Sequence, residues 1–397
     1  MFKKLLIFLI VSAVFLGQFS AMAAVKTGGS CTKLGATSTS LGKKYTCIKS
    51  GKKLVWNKGV PVIKPVPVVS PTASPTPISS PTPTSSPKPS ISSDPIAPTS
   101  FDNLLERYKG IGPAVWKEAQ ALANAGNQTS EFEIQIGPNT TPAPLVSNPL
   151  NYLSRISKLW SNYTQPTKTK VFLFNVNDVS WVQQKNRDLG GSFHTPETIA
   201  GACTSAENCS SFGGAYKGLG QLFIGVQIKN FDDYSIGFVR GNFGHEYTHT
   251  VQYTALNAPA NVKLPCWYAE GQPQVPGQTL GFETQANYLK SKTSWTNKGP
   301  GILGDYSPDS ILKFYAMTGG SGTGTCNADY RPRVYDVGYM TVEALASIKG
   351  IQSTMDVVVG VGKGMTFDES FKNVYGISWA EASPILAKVV SAGFMKP

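Results

Sequence analysis

The chain has 397 residues, 41% of them hydrophobic, with 36 basic against 24 acidic side chains and a formal charge of +12. That is enough apolar material for a sizeable core. The charge is uneven: residues 1–93 hold twelve Lys and no acidic residue, while the 24 Lys and Arg beyond them equal the 24 acidic groups. A neutral body without any aromatic-basic binding motif argues against nucleic acid as a partner.

Residues 1–23 have the pattern of a secretory signal peptide. Lys3 and Lys4 form the basic end, residues 5–16 the apolar run, and Ala21-Met22-Ala23 a small-x-small cleavage site. The apolar run is too short for a good membrane span, and no second long one follows. The expectation is an exported, soluble mature protein with no transmembrane segment. Export agrees with six cysteines, an even number suited to an oxidising compartment. Proximity pairs Cys31 with Cys47 and Cys203 with Cys209, leaving Cys266 with Cys326.

Residues 24–59 are expected to form a small basic module. Alternating runs at 44–48 and 53–56, separated by Ser50-Gly51, predict a hairpin. So short a segment buries little surface, so a disulfide staple is expected. The module is similar to short Cys-containing modules attached to secreted proteins of Gram-positive-type bacteria. Its lysines suit an anionic cell-wall polymer, or they serve only to keep a small module soluble; both readings stand. Residues 60–100 read as a disordered linker. Twelve prolines fall between Pro61 and Pro98 among Ser and Thr, a composition that favours extended chain.

From residue 101 to 397 the composition is globular. Helical spacing spans 101–125, with a break expected at Gly112-Pro113. A strand is predicted at 131–136, a helix at 152–163, a buried strand at 171–176 and a helix at 181–189. Residues 190–220, rich in Gly and Ser, read as a long surface excursion that contains His194, a solvent-exposed loop histidine rather than a substrate contact. A strand follows, with Leu222, Ile224, Val226 and Ile228 on one face. Either it is ordinary sheet core, or it is an edge that adds a peptide as an extra strand. Beyond residue 250, Pro273, Pro276 and Gly277 predict that any helix carrying Glu270 is short. A helix is expected at 310–317, and another is opened by the segment around Tyr335 and reaches about Lys349. Strands first and helices afterwards indicate an α+β fold in two lobes.

Two segments carry chemistry. Residues 244–249 contain His245-Glu246-x-x-His249, and residues 266–271 end in Glu270-Gly271. Residues four apart share one helix face, so His245 and His249 aim two imidazoles at one point. With the Glu270 carboxylate they make a three-ligand zinc site whose fourth position stays open. Glu246 is placed to take a proton from water at that position. An accidental match on a solvated helix is disfavoured, because the chain has only three histidines and the flanks Phe243, Tyr247 and Val251 would bury the cluster.

Together with Trp267-x-x-Glu270-Gly271, Tyr335-x-x-Gly338 and Phe371-x-x-x-Tyr375-Gly376-Ile377-Ser378, these residues resemble the gluzincin metallopeptidases. The resemblance is to the aminopeptidase-N-like and glycyl-aminopeptidase-like branch of the peptidase MA clan, over residues 220–390. It implies a thermolysin-like zincin domain, in which a mixed sheet and the zinc helix precede a helical lobe. It also implies one Zn2+ per chain on His245, His249 and Glu270, Glu246 as general base, and Tyr335 donating to the oxyanion. Gln272-Pro273 departs from the family pattern, and residues 221–229 lack the G-x-M-E-N motif that holds a substrate's free amine. The expectation is therefore a secreted zinc metallopeptidase acting on peptides or proteins, and not an aminopeptidase. The alternative is a wall-associated binding protein whose peptidase-like domain no longer cleaves.

Overall fold

A computed structural model describes residues 28–40, 43–51, 53–58, 60–61, 94–141, 149–190, 196–228, 233–319 and 327–395. The signal segment, most of the linker, His194 and Cys326 lie outside them. The chain divides into two units, Met1–Lys88 and Pro89–Pro397.

In the first unit, β1 (Thr37–Ser40), β2 (Lys43–Ser50), β3 (Lys53–Trp56) and β4 (Val60–Pro61) form an antiparallel sheet around β2. The hairpin sets Cys47 opposite Trp56. Among its described residues, only Tyr45 and Cys47 are buried hydrophobics. The Cys31–Cys47 disulfide closes a loop spanning 16 residues. Such a closure contributes about 3 kcal/mol by restricting the unfolded chain.

The second unit begins with α1 (Phe101–Leu104) and α2 (Ile111–Ala125). Gly112-Pro113 does not break the helix; it lies in the first turn of α2, where proline's missing N–H costs nothing. The break comes earlier, over residues 105–110. Next come β5 (Glu131–Ile136), α3 (Pro149–Leu159), β6 (Lys168–Phe174) and α4 (Val179–Asp188). The expected surface excursion is ordered structure instead: α5 (Pro196–Ala202), β7 (Cys203–Ser205), β8 (Asn208–Cys209) and β9 (Phe212–Tyr216) precede β10 (Leu219–Gly225). Gly213 and Gly220 are packed closely against Glu246 and Thr169, whereas Gly201 and Gly218 meet open space.

Four of the larger unit's six described strands lie in the order β5-β6-β10-β9, with β5, β6 and β10 parallel and β9 antiparallel at the edge, while β7 and β8 pair separately. β10 is therefore internal, and β9 takes the edge considered for it. β9 and β10 are joined by Lys217-Gly218, both at positive φ (50° and 78°), as in the tight hairpin turns whose twist matches the strands. Strand alternation divides the core. Val171, Leu173, Leu222 and Ile224 face the main cluster, while Phe172, Phe174 and Phe223 face a smaller one that includes Val182 of α4 and Ile199 of α5.

The helical remainder comprises α6 (Asp233–Leu256), α7 (Ala260–Lys263), α8 (Cys266–Gly281), α9 (Gln285–Thr296), α10 (Pro308–Met317), α11 (Val337–Lys349), α12 (Ile351–Gly362), α13 (Phe367–Tyr375) and α14 (Trp379–Phe394). The result is a mixed α+β unit with its strands ahead of α6 and helices after it. No helix among the described residues is long and apolar enough to cross a membrane.

The expectation of a short helix around Glu270 is overturned, since α8 runs sixteen residues with Pro273 and Pro276 inside. Pro273 has no N–H for the Ala269 carbonyl, but Gln252 Nε2 donates to that carbonyl at 3.1 Å. The lost helix bond is thus replaced from α6, which is how a long helix tolerates the residue.

Candidate metal centre

Helix α6 runs through the middle of the larger unit. From Phe243 to Gln252 every residue is buried except the half-buried His249, so this helix has no single polar face. One side of it meets α8, backbone against backbone. A Cβ on Gly277 would lie 2.7 Å from the Gly241 carbonyl, and one on Gly281 would lie 2.4 Å from the Gly237 carbonyl. Only glycine permits this approach, and it brings Glu270 of α8 to the His245–His249 face.

The three ligand-type atoms form a tight triangle. His245 Nε2 and His249 Nε2 are 3.0 Å apart, and Glu270 Oε2 is 3.4 Å from the first and 3.3 Å from the second. Bonds of about 2.0–2.1 Å in tetrahedral geometry place ligand atoms about 3.3 Å apart. The triangle therefore has the size and the N, N, O composition that a small divalent cation requires. His245, His249 and Glu270 are the group among the described residues that could hold a metal ion.

Burial alone would push the His249 imidazole down. The adjacent Glu270 carboxylate outweighs it and lifts His249 to about 9. Glu270 is held far below the usual carboxylate range: burial opposes ionisation, but the two imidazoles win. In the protein without metal, a proton thus supplies the positive charge that the carboxylate demands. Binding a cation would displace it, because an imidazole ligates only when neutral at the ligating nitrogen.

Glu246, 7% exposed, lies on the cavity side of α6. Burial raises its pKa, against the lowering pull of His245 and His249, with the Glu270 charge adding to the rise and a hydrogen bond from the Gly213 backbone N–H opposing it. A raised carboxylate is a better proton acceptor near neutral pH. Gly213 belongs to β9, and a Cβ there would sit 2.4 Å from the Glu246 carbonyl oxygen. The edge strand can lie against α6 only because that residue is glycine.

Tyr335 lies just ahead of the helix expected to open around it. It closes a 3-10 turn (Arg331–Tyr335), and α11 starts at Val337 with Asp336 as its cap. The turn projects the ring to within 6.1 Å of the His245 ring, centroid to centroid. The Glu270 carboxylate, and then burial, push its hydroxyl pKa up, so it remains an O–H donor; Arg331 hydrogen-bonds to it. Two glycines set this position. A Cβ on Gly271 would lie 2.5 Å from the Gly338 carbonyl, and one on Gly338 would lie 2.6 Å from the Trp267 carbonyl. Gly338 thus lets α11 begin directly against α8.

His245, Glu246, His249, Glu270 and Tyr335 open onto one cavity of about 1050 Å³, walled on one side by residues 209–214. Sequence reasoning overlooked that wall, because a Gly- and Ser-rich stretch has no periodicity to mark it as a strand. It also overlooked Gln252 and Gln274, which hydrogen-bond the two imidazoles. Their positions, three after His249 and four after Glu270, were the available signal, since each shares a helix face with a ligand.

The Cys31–Cys47 and Cys203–Cys209 disulfides are present, the second bordering the cavity through Cys209. Cys266 is disulfide-bonded, and its expected partner Cys326 lies outside the described residues. No family model, curated protein or solved structure matches this chain.

Proposed function

We propose that the larger unit is a zinc metallopeptidase. The observation that carries this reading is the convergence, in one cavity, of a His-His-Glu triangle of metal-binding size with a buried carboxylate and a tyrosine hydroxyl. Zinc suits two imidazoles and a carboxylate; iron(II) is the other metal at home in such a set. When bound, zinc supplies Lewis acidity and lowers the pKa of a coordinated water to about 7.

The chain's own groups divide the remaining work. Glu246 accepts the proton from the attacking water and passes it to the leaving amine. Tyr335 donates its hydroxyl to the oxygen that becomes negative in the transition state. The edge of β9 that borders the cavity would take up an extended peptide as an additional strand, fixing the scissile carbonyl by main-chain hydrogen bonds. An extended substrate along a strand fits a peptidase other than an aminopeptidase, within a thermolysin-like arrangement. The disulfides support an exported protein, and the lysine-rich first unit would hold it to an anionic wall polymer.

The test uses the purified full chain. Elemental analysis should find about one zinc per chain, and a peptide library should be cleaved in a chelator-sensitive manner. Glu246→Gln should retain the metal and lose ~10²–10⁴ in cleavage. Cleavage surviving in that variant would sink the mechanism. Metal bound without any cleavage would favour the binding-protein alternative.

A further inference from the structure

Each of the two imidazoles is held from behind by a buried amide. His245 Nδ1 lies 2.8 Å from Gln274 Oε1, and His249 Nδ1 lies 2.8 Å from Gln252 Oε1. The orientation of Gln252 follows from its nitrogen, which donates to the Ala269 carbonyl at 3.1 Å and to Gln272 Oε1 at 2.7 Å. Turning the amide over would set its oxygen against two acceptors while Gln252 and Gln272 are both 0% exposed. That arrangement is costly. Gln272 is oriented in turn: its Nε2 donates to Thr354 Oγ1 at 3.3 Å, and that hydroxyl has already given its proton to the Ile351 carbonyl.

The Ala269 carbonyl is open to Gln252 because Pro273, four residues on, has no N–H to offer. The chain of donors therefore has one direction. Thr354 and the open carbonyl fix Gln272 and Gln252, and Gln252 turns an acceptor oxygen toward His249. A neutral imidazole carries a single N–H. With that proton held on Nδ1 by Gln252, the lone pair sits on Nε2, the atom facing His245 and Glu270.

We propose that Gln252 is the positioning residue that presets His249 as a metal ligand, with Gln272 and Pro273 as its support, and that Gln274 does the same for His245. The Gln272-Pro273 pair, a departure from the gluzincin pattern, then belongs to the metal centre. This rests on the metal-centre half of the proposed function and not on peptide hydrolysis. The amides hold the rings without adding charge, so Glu270 alone supplies the negative charge of the ligand set.

The experiment measures zinc affinity of the chelator-stripped full chain by competition with a chromophoric chelator, alongside the melting temperature of the metal-free form. Gln252→Met keeps the bulk and removes the acceptor, so zinc binding should weaken by ~10–100-fold. Gln252→Glu restores an acceptor toward Nδ1 but cannot donate to Ala269 or Gln272. It should bind zinc at least as tightly as the unaltered chain while its metal-free form melts lower. A purely structural role would move both variants together, in step with their melting temperatures. If Gln252→Met does not fold, the Gln274→Met and Gln274→Glu pair on the cavity wall gives the same reading at His245. Zinc affinity within about two-fold of the unaltered chain in a folded Met variant, or equal weakening in the Glu and Met variants, overturns the proposal. An unaltered chain that binds no zinc removes it together with the metal centre. Absence of cleavage counts only against the peptidase reading, because the readout is affinity.

Discussion

The two helices that carry the ligand triangle do so by different means. Helix α6 supplies two ligand-type side chains whose spacing is a property of any α-helix: residues four apart point the same way wherever the helix lies. Helix α8 supplies one, and Glu270 reaches the triangle only because glycine faces glycine along two helix contacts. A ligand pair on one helix is a local fact. A third ligand from elsewhere is as accurate as the packing that delivers it.

The sharpest way to break the comparison is to remove one ligand from each side. His249→Ala on α6 and Glu270→Ala on α8 should each take bound zinc from about one per chain to none, read by elemental analysis after dialysis. Retention of metal by either variant would show that its helix is not a partner in the centre. Tyr335 comes from a third direction. Tyr335→Phe keeps the ring and removes only the donor, so turnover should fall ~10²–10³ with zinc unchanged. Unchanged turnover would assign the ring to packing alone.

The cap of α11, one residue after the turn that holds Tyr335, can be tested by pH. Burial lifts Asp336 to about 6 despite Arg333 at 2.9 Å, from an ordinary value of 3.8. For an acid raised in the folded state, the protonated form is the favoured one inside. Its stability is fully present below about 4 and is lost as pH rises through about 6. Asp336→Asn stays neutral throughout and can still accept from the Val337 N–H. In metal-free protein it should gain on the unaltered chain by about 2 kcal/mol between pH 4 and 6.5, read from denaturant midpoints. A pH-independent difference would mean that Arg333 fully compensates the buried charge.

The smallest effects address the glycine contacts. Gly271→Ala and Gly277→Ala each place a methyl against backbone, at 2.5 and 2.7 Å respectively, and should cost about 1–3 kcal/mol while weakening zinc binding. Gly299→Ala, where nothing lies within 4 Å, should change neither. Equal behaviour of all three would show that α8 is not seated by these glycines.

Much of this was legible from the chain before any coordinates. His245 and His249 follow from helical periodicity, and strands such as β5 follow from alternation. Short-range disulfides follow from proximity: Cys31 pairs with Cys47 and Cys203 with Cys209. Three of the failures share one cause. Residues 209–214, the length of α8 and the place of Tyr335 depend on neighbours far away in sequence. A glycine-rich stretch reads as loose when its partner is unseen, yet Gly213 is confined by Glu246. A proline reads as a stop, yet Gln252 supplies the bond that Pro273 cannot.

By itself the sequence determined which residue types stand one helical turn apart, where strands alternate, and which cysteines are near enough to pair. These depend on backbone geometry within a few residues, and that geometry is the same in every protein. Tertiary structure decided that Glu270 meets the imidazoles, that β9 and not β10 forms the edge beside Glu246, and that Gln252 orients His249. Each of these joins helices and strands through close approach or buried polar contact. Such contacts are set by how whole elements pack, and no local pattern encodes that.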